Sequence, residues 1–368
     1  MKSKLSFALL LTAVVALSSL PSLAAAGAVY TLNNSSSGNA VLVYSRSADG
    51  QISLAGTFAT GGTGTDKGLG NQGALAIEAT NQFLFAVNAG SNNISVFRIG
   101  GNGLHLVETV PSGGLQPISV TVCRKVLYVL NHGGAAGGND TIAGFSVSAH
   151  GHLRPIVSGL LLSATSVGPA QIGFNNDGDV LLVTEKNTNN IDVFSVDDDG
   201  VAVGPTVIPS AGQTPFGFAF GKRNQVFVSD AFGGGAGAGA LSSYAITDSA
   251  LRIVANAVGD KQNAPCWVVL TNDGRFAYIT NTGSGNVSGY RVGFDGALQL
   301  LNASGLTANT GTGRTPLDAA ISNDARFLYV LTPGTGNIQG FEISLDGSLS
   351  PLTQAAGIPS SASGLVAR

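Results

Sequence analysis

The chain has 368 residues, with 18 basic and 21 acidic side chains and charge at only 11% of positions. No basic cluster exists, which argues against nucleic acid or an anionic membrane surface as a partner. Glycine is abundant (52), while methionine and tryptophan occur once each, a balance that excludes a long helical bundle and fits an all-β protein with many tight turns.

In chain order, the N-terminus comes first. Lys2 and Lys4 precede an apolar run from Leu5 to Leu20, Pro21 breaks it, and Ala24-Ala25-Ala26 offers a small-residue cleavage site. This predicts a signal peptide over 1–26 and a secreted or periplasmic mature protein over 27–368. No later segment is apolar for long enough to span a bilayer.

Seven short apolar strands follow: AVYTLN, FLFAVN, VLYVLN, VLLVTE, QVFVSD, FAYITN and FLYVLT. They end at Asn33, Asn88, Asn131, Glu185, Asp230, Asn281 and Thr332, at intervals of 43 to 55 residues. Such a period, with several strands per unit, predicts propeller blades. The sixth repeat shows the internal order: CWVVL, a turn at Asn272-Asp273-Gly274, FAYITN, a loop, NVSGYRV, a turn at Asp295-Gly296, and ALQLLNAS over 297–304. These are strands A to D of a four-stranded antiparallel meander. The first repeat opens at its B strand, and SGLVAR over 363–368 has the form of an A strand. The C-terminal strand is therefore predicted to complete the first blade and close a seven-bladed ring.

A–B and C–D turns are short, while B–C and D–A loops are long, so one face of the disc should carry the long loops and any site. The polar residues ending the B strands are expected to ring that face. Glu185, Asp230 or His132 could act as a general base or acid, and Lys186 or Arg314 as the cation that steadies carboxylate or oxyanion charge. Trp267, with Phe216 one blade earlier, offers a stacking surface beside Asn281 and Gln171. The competing expectation is that strand-end residues only cap loops, and that Trp267 packs as core between blades.

The glycine run around Gly233–Gly239 lacks the Gly-Lys-Ser/Thr of a phosphate loop. Asp197-Asp198-Asp199 lacks the alternation of a calcium loop, and His150 and His152 alone make a poor metal site. No metal and no organic cofactor is expected. Cys123 and Cys266 fall in non-adjacent blades and are expected to be free, mostly buried thiols. A monomer is expected, with a small lactone or sugar-like molecule or a protein as partner.

VLYVLN, FAYITN, the Asn-Asp-Gly turns and the Thr-Pro or Gly-Pro before each A strand resemble the lactonase family of seven-bladed propellers. That family includes 6-phosphogluconolactonase-type and carboxymuconate-cyclase-type enzymes and overlaps the YVTN-repeat propellers. The resemblance covers Gly27 to Arg368 and implies a hydrolase or cyclase acting on a small sugar or aromatic lactone. Family enzymes carry His and Arg just after the residue opening an A strand. Here the openings read Gly168-Pro169-Ala170-Gln171, Thr214-Pro215-Phe216-Gly217, Ala264-Pro265-Cys266-Trp267 and Thr315-Pro316-Leu317-Asp318. Ala170, Phe216, Gly217 and Leu317 stand where charge would be expected, so no catalytic position of the family carries over. The second functional class is accordingly a non-catalytic extracellular or periplasmic propeller that binds a ligand or a protein.

Overall fold

The computed structural model describes residues 26–247, 250–311 and 315–368. The leader expected over 1–26 falls outside them except for Ala26, and so does Arg314.

Seven antiparallel sheets form, each with its strands in A–B–C–D order. The A strands are Leu75–Ile77, Pro117–Cys123, Pro169–Phe174, Pro215–Phe220, Pro265–Leu270 and Asp318–Ile321 in blades 2 to 7. In blade 1 the A strand is the C-terminal Ser363–Ala367, paired antiparallel with Gly27–Leu32 through Val29↔Ala367 and Tyr30↔Val366. Each A strand touches the next, and Ser363–Ala367 touches both Asp318–Ile321 and Leu75–Ile77, so the ring is closed as its sequence predicts. The protein is a seven-bladed β-propeller.

Position in the blade explains the residue pattern. A B strand lies between its A and C neighbours and is covered by a blade on either face. Phe83–Asn88, Val180–Glu185 and Phe276–Asn281 are accordingly buried at every residue and read as near-continuous apolar runs. A D strand such as Ile52–Ala59 lies at the rim, largely exposed, and its sequence is mixed. Blade contacts repeat as well. The B-strand tyrosines Tyr128, Tyr278 and Tyr329 each donate their hydroxyl to a glycine carbonyl in the C–D turn of the next blade, Gly200, Gly347 and Gly50, at 2.8 Å. Gly347 has φ +91° and presses on the Phe276 ring, where any Cβ would collide, so this turn admits glycine alone.

Two local expectations are corrected. The sixth D strand does not run through 297–304. It pairs at Leu298–Leu300, leaves the sheet, and rejoins strand C at Ala308–Asn309. The detour is stable because its ends are still bonded to strand C, Leu301 N–H to the Gly289 carbonyl and Thr307 N–H to Val287, both at 2.9 Å. Both cysteines are free, but only Cys266 is buried; Cys123 is half-buried at the outer end of its strand.

Candidate functional site at the channel mouth

The long B–C and D–A loops share one face, around the end of the central channel. The polar residues closing the B strands do not ring its mouth. They point into the clefts between blades. Glu185, fully buried, accepts the Ser163 backbone N–H (3.2 Å) and hydroxyl (2.6 Å) from the D–A loop of the preceding blade, and a hydroxyl bond from Thr188. Asp230 accepts hydroxyls from Ser210 of the preceding loop and Ser242 of its own C strand. Asn281 donates to Asn286 (2.8 Å) and Ser288 (2.7 Å), and Ser288 in turn reaches Asp260 of the preceding loop. The physical reason is the two-residue period of a strand: a side chain facing a neighbouring blade cannot also face the channel end. These residues pin each D–A loop to the next blade.

Blade 4 differs from blades 2, 5 and 6 in one respect. Where Ser95, Ser242 and Ser288 stand on the C strands of blades 2, 5 and 6, it carries Asp192, fully buried against Glu185. Asp192 Oδ2 accepts the Ser163 N–H at 2.9 Å, and Oδ1 has no acceptor role among the described residues. Burial, then the hydrogen bond and charge of Glu185, push the Asp192 carboxyl up to about 8. Asp192 is therefore largely protonated at neutral pH. Burial likewise raises Asp230 to about 7.

In blades 3 and 4 the residue after the polar strand end reaches the mouth. Here stand His132 and Lys186. Lys186 Nζ donates to the Gly70 carbonyl at 2.7 Å and lies 4.8 Å from the centre of the Phe216 ring. No carboxylate forms an ion pair with it among the described residues. Desolvation lowers it to about 8. His132 is half-buried, its ring nitrogens bonded to no described residue. Burial lowers its pKa, Asp140 opposes that, and the Lys186 charge lowers it further, so the imidazole is neutral at pH 7.

The mouth is not open. The loop leading from blade 1 into blade 2 dips across it at Leu69–Gly73. The Gln72 carboxamide pairs with the backbone of Val268 in blade 6, donating to its carbonyl at 2.9 Å and accepting its N–H at 3.1 Å. Gln72 N–H reaches the Ala170 carbonyl of blade 4 at 3.1 Å, and Ser119 of blade 3 donates to the Gln72 carbonyl at 2.6 Å. Gly217 leaves the room: a Cβ there would strike Gln72 Oε1. Gln171 forms a second pair of the same kind, with Phe218 of blade 5, at 3.0 and 2.7 Å. Adjacent A strands splay apart too far to pair, and these two glutamines bridge inner strands in their stead.

Trp267 packs beneath the plug and is 3% exposed. Its indole N–H donates to the Asn71 carbonyl at 2.5 Å, and its ring meets Phe216 at 5.2 Å between centres. It therefore does not lie at a wet rim; it is buried between Phe216 of blade 5 and the plug loop. It also lines a pocket of about 220 Å³ bounded by Gly68–Asn71, Leu317, Asp318, Ser363 and Gly364. Asp318 accepts N–H groups from Ala319 (2.8 Å) and Leu365 (3.1 Å), and full burial raises its carboxyl to about 8. Asp318, Trp267, Phe216, Lys186 and His132 thus follow one another around the channel end at the plug. The loop plug, the Asp318 pocket and the carboxyl pair carry no local sequence signal; the length of the Thr60–Gly73 loop was the one visible trace. Among the described residues no three His, Cys, Asp or Glu side chains converge as metal ligands would.

The model of the lactonase seven-bladed propeller family matches residues 24–123, 118–220 and 222–364. The chain belongs to the lactonase family. Among solved structures, it is similar to a Bacteroides fragilis protein assigned as a 6-phosphogluconolactonase (18% identity, 95% of this chain and 99% of that one, TM-score 0.73). It is also similar to a periplasmic gluconolactonase of Pseudomonas aeruginosa (17%, 92% and 98%, TM-score 0.72) and to a Lactobacillus plantarum protein (18%, 93% and 99%, TM-score 0.71). No curated protein sequence matches the chain. At such identities the structures share the fold with this lactonase-family chain, and its chemistry has to come from its own residues. No helix among the described residues is long and apolar enough to cross a membrane.

Proposed function

We propose that this lactonase-family propeller works outside the cytoplasm and takes a small sugar-like or aromatic lactone, or the acid it opens to, at the plugged mouth. The observation that carries the reading is Lys186. A largely desolvated ammonium bonded only to a neutral carbonyl and an aromatic face is a cation awaiting an anion. Neutral His132 beside it is fitted to activate water, and Lys186 to hold the oxyanion that forms on the lactone carbonyl. A pocket of about 220 Å³ against Trp267 suits a single ring. The leader-like N-terminus and the periplasmic relative support the location.

The test is acid release from a panel of aldonolactones and muconolactones by the purified protein. Turnover that is lost in both His132→Ala and Lys186→Met supports the reading; turnover untouched by either removes it. The second reading, a propeller that binds without turnover, is favoured by the closed plug over Trp267. It predicts saturable binding of the same compounds, dependent on Lys186, with no acid released.

A further inference from the structure

The opposite face of the disc carries a second site. Four B strands hold a tyrosine at the same position: Tyr30, Tyr128, Tyr278 and Tyr329. Three of them spend their hydroxyl proton on a glycine carbonyl in the C–D turn of the next blade. Tyr30 does not. Its hydroxyl meets no carbonyl among the described residues and lies instead beside the guanidinium of Arg368, so the Tyr30 proton is left to give. Burial raises the phenol, which keeps that proton in place at neutral pH.

Arg368 is fixed by its backbone, which pairs with Ala28 in both directions at 2.9 and 3.1 Å. Its guanidinium carbon lies 6.0 Å from the Tyr30 ring centre, and its buried Nε has no hydrogen-bond partner among the described residues. Where the usual lock would close, a cleft of about 310 Å³ remains between blades 1 and 2. Tyr30, Phe58, Asn102 and Arg368 line it together with the glycines of the 100–103 turn. Phe58 is held as a flat wall because Gly103 and Gly56 lie against its ring. Gly101 faces open space.

We propose that this cleft binds a small carboxylate carried on a single apolar ring. The unspent Tyr30 O–H and the Arg368 guanidinium line the cleft together, and a donor beside a positive charge selects an anion. The Phe58 face accepts the ring. The site lies across the disc from Lys186 and stands independently of the function proposed for the mouth.

Calorimetric titration with benzoate tests this, with benzamide as the uncharged control. Saturable benzoate binding is expected, with benzamide at least about tenfold weaker. Tyr30→Phe removes one hydroxyl and should weaken benzoate by about tenfold. Gly101→Trp fills the cleft from an exposed turn and should abolish binding without changing the melting temperature. Lys186→Met should leave it intact. Absence of saturable binding overturns the proposal. So does binding that survives Tyr30→Phe or Gly101→Trp, or binding lost in Lys186→Met, which would place benzoate at the mouth.

Discussion

At the scale of single residues, Lys186 sets a function against a cost. Desolvation lowers it to about 8, so between that value and its ordinary one the unfolded chain holds the extra proton. Stability on its account rises as pH climbs from 8 towards 10.5. Lys186→Met should therefore melt no lower than the parent at pH 7, and up to ~1 kcal/mol higher, while losing ligand affinity. Any activity should fall above pH 8 as the ammonium discharges, a limb the pH–rate profile would show. Asp192 has the opposite logic. Its carboxyl is raised to about 8, so the folded state holds the extra proton, and the stabilisation is complete in acid and lost as pH rises through 8. Asp192→Asn supplies an amide donor to Glu185 without needing that proton. It should raise stability by roughly 1–3 kcal/mol at pH 9 and change it little at pH 5, read by thermal melts at both. Much of this was legible in the sequence one position away. The strand ends Glu185, Asp230 and Asn281 were visible as polar breaks in apolar runs. Which of two successive residues faces a cleft, and which the mouth, depends on how the blade is rotated, and a linear pattern does not encode that. His132 and Lys186 were recognisable as titratable residues after the break, but their partners were not.

At the scale of elements, the plug governs access. The Thr60–Gly73 stretch is legible as a long loop, but its course is not. The groups it bonds, the backbones of Ala170 and Val268, lie 98 and 196 residues from Gln72 and are the same in any sequence. The gap left by Gly217 could be read only as a missing charge until Gln72 was seen to occupy it. Gln72→Ala removes both bonds to Val268 and should loosen the plug with little effect on the blades. The lone tryptophan reports this directly. In the parent Trp267 should emit in the blue and resist acrylamide. In Gln72→Ala it should shift to the red and become quenchable. Identical spectra for the two proteins would show that the loop is held without Gln72.

At the scale of the molecule, seven repeats and a C-terminal strand were fully readable, because blade periodicity and turn chemistry are local properties that recur. Closure is the global consequence. Ser363–Ala367 supplies buried Leu365, an antiparallel partner for Gly27–Leu32, and the N–H that holds Asp318. Deleting 363–368 exposes two blade faces and leaves the Asp318 carboxyl short of a donor. It should cost on the order of 5 kcal/mol and lower the melting temperature sharply. A truncated protein that melts with the parent would contradict the closed ring.

Repeat proteins are commonly treated as chains of beads, each coupled only to its neighbours, so that they can fray one unit at a time from either end. Gln72 breaks that description. It joins blade 2 to blade 6 across the diameter, and its backbone adds blades 3 and 4. It acts as a spoke, not a link in the rim. Under tension on the C-terminal strand, that inner strand of blade 1 and then blade 7 are free to peel in turn, but blade 6 cannot leave without pulling the hub loop of blade 2 after it. Mechanical unravelling from that end should therefore stall once blade 7 is gone and then run through the remainder in one cooperative step.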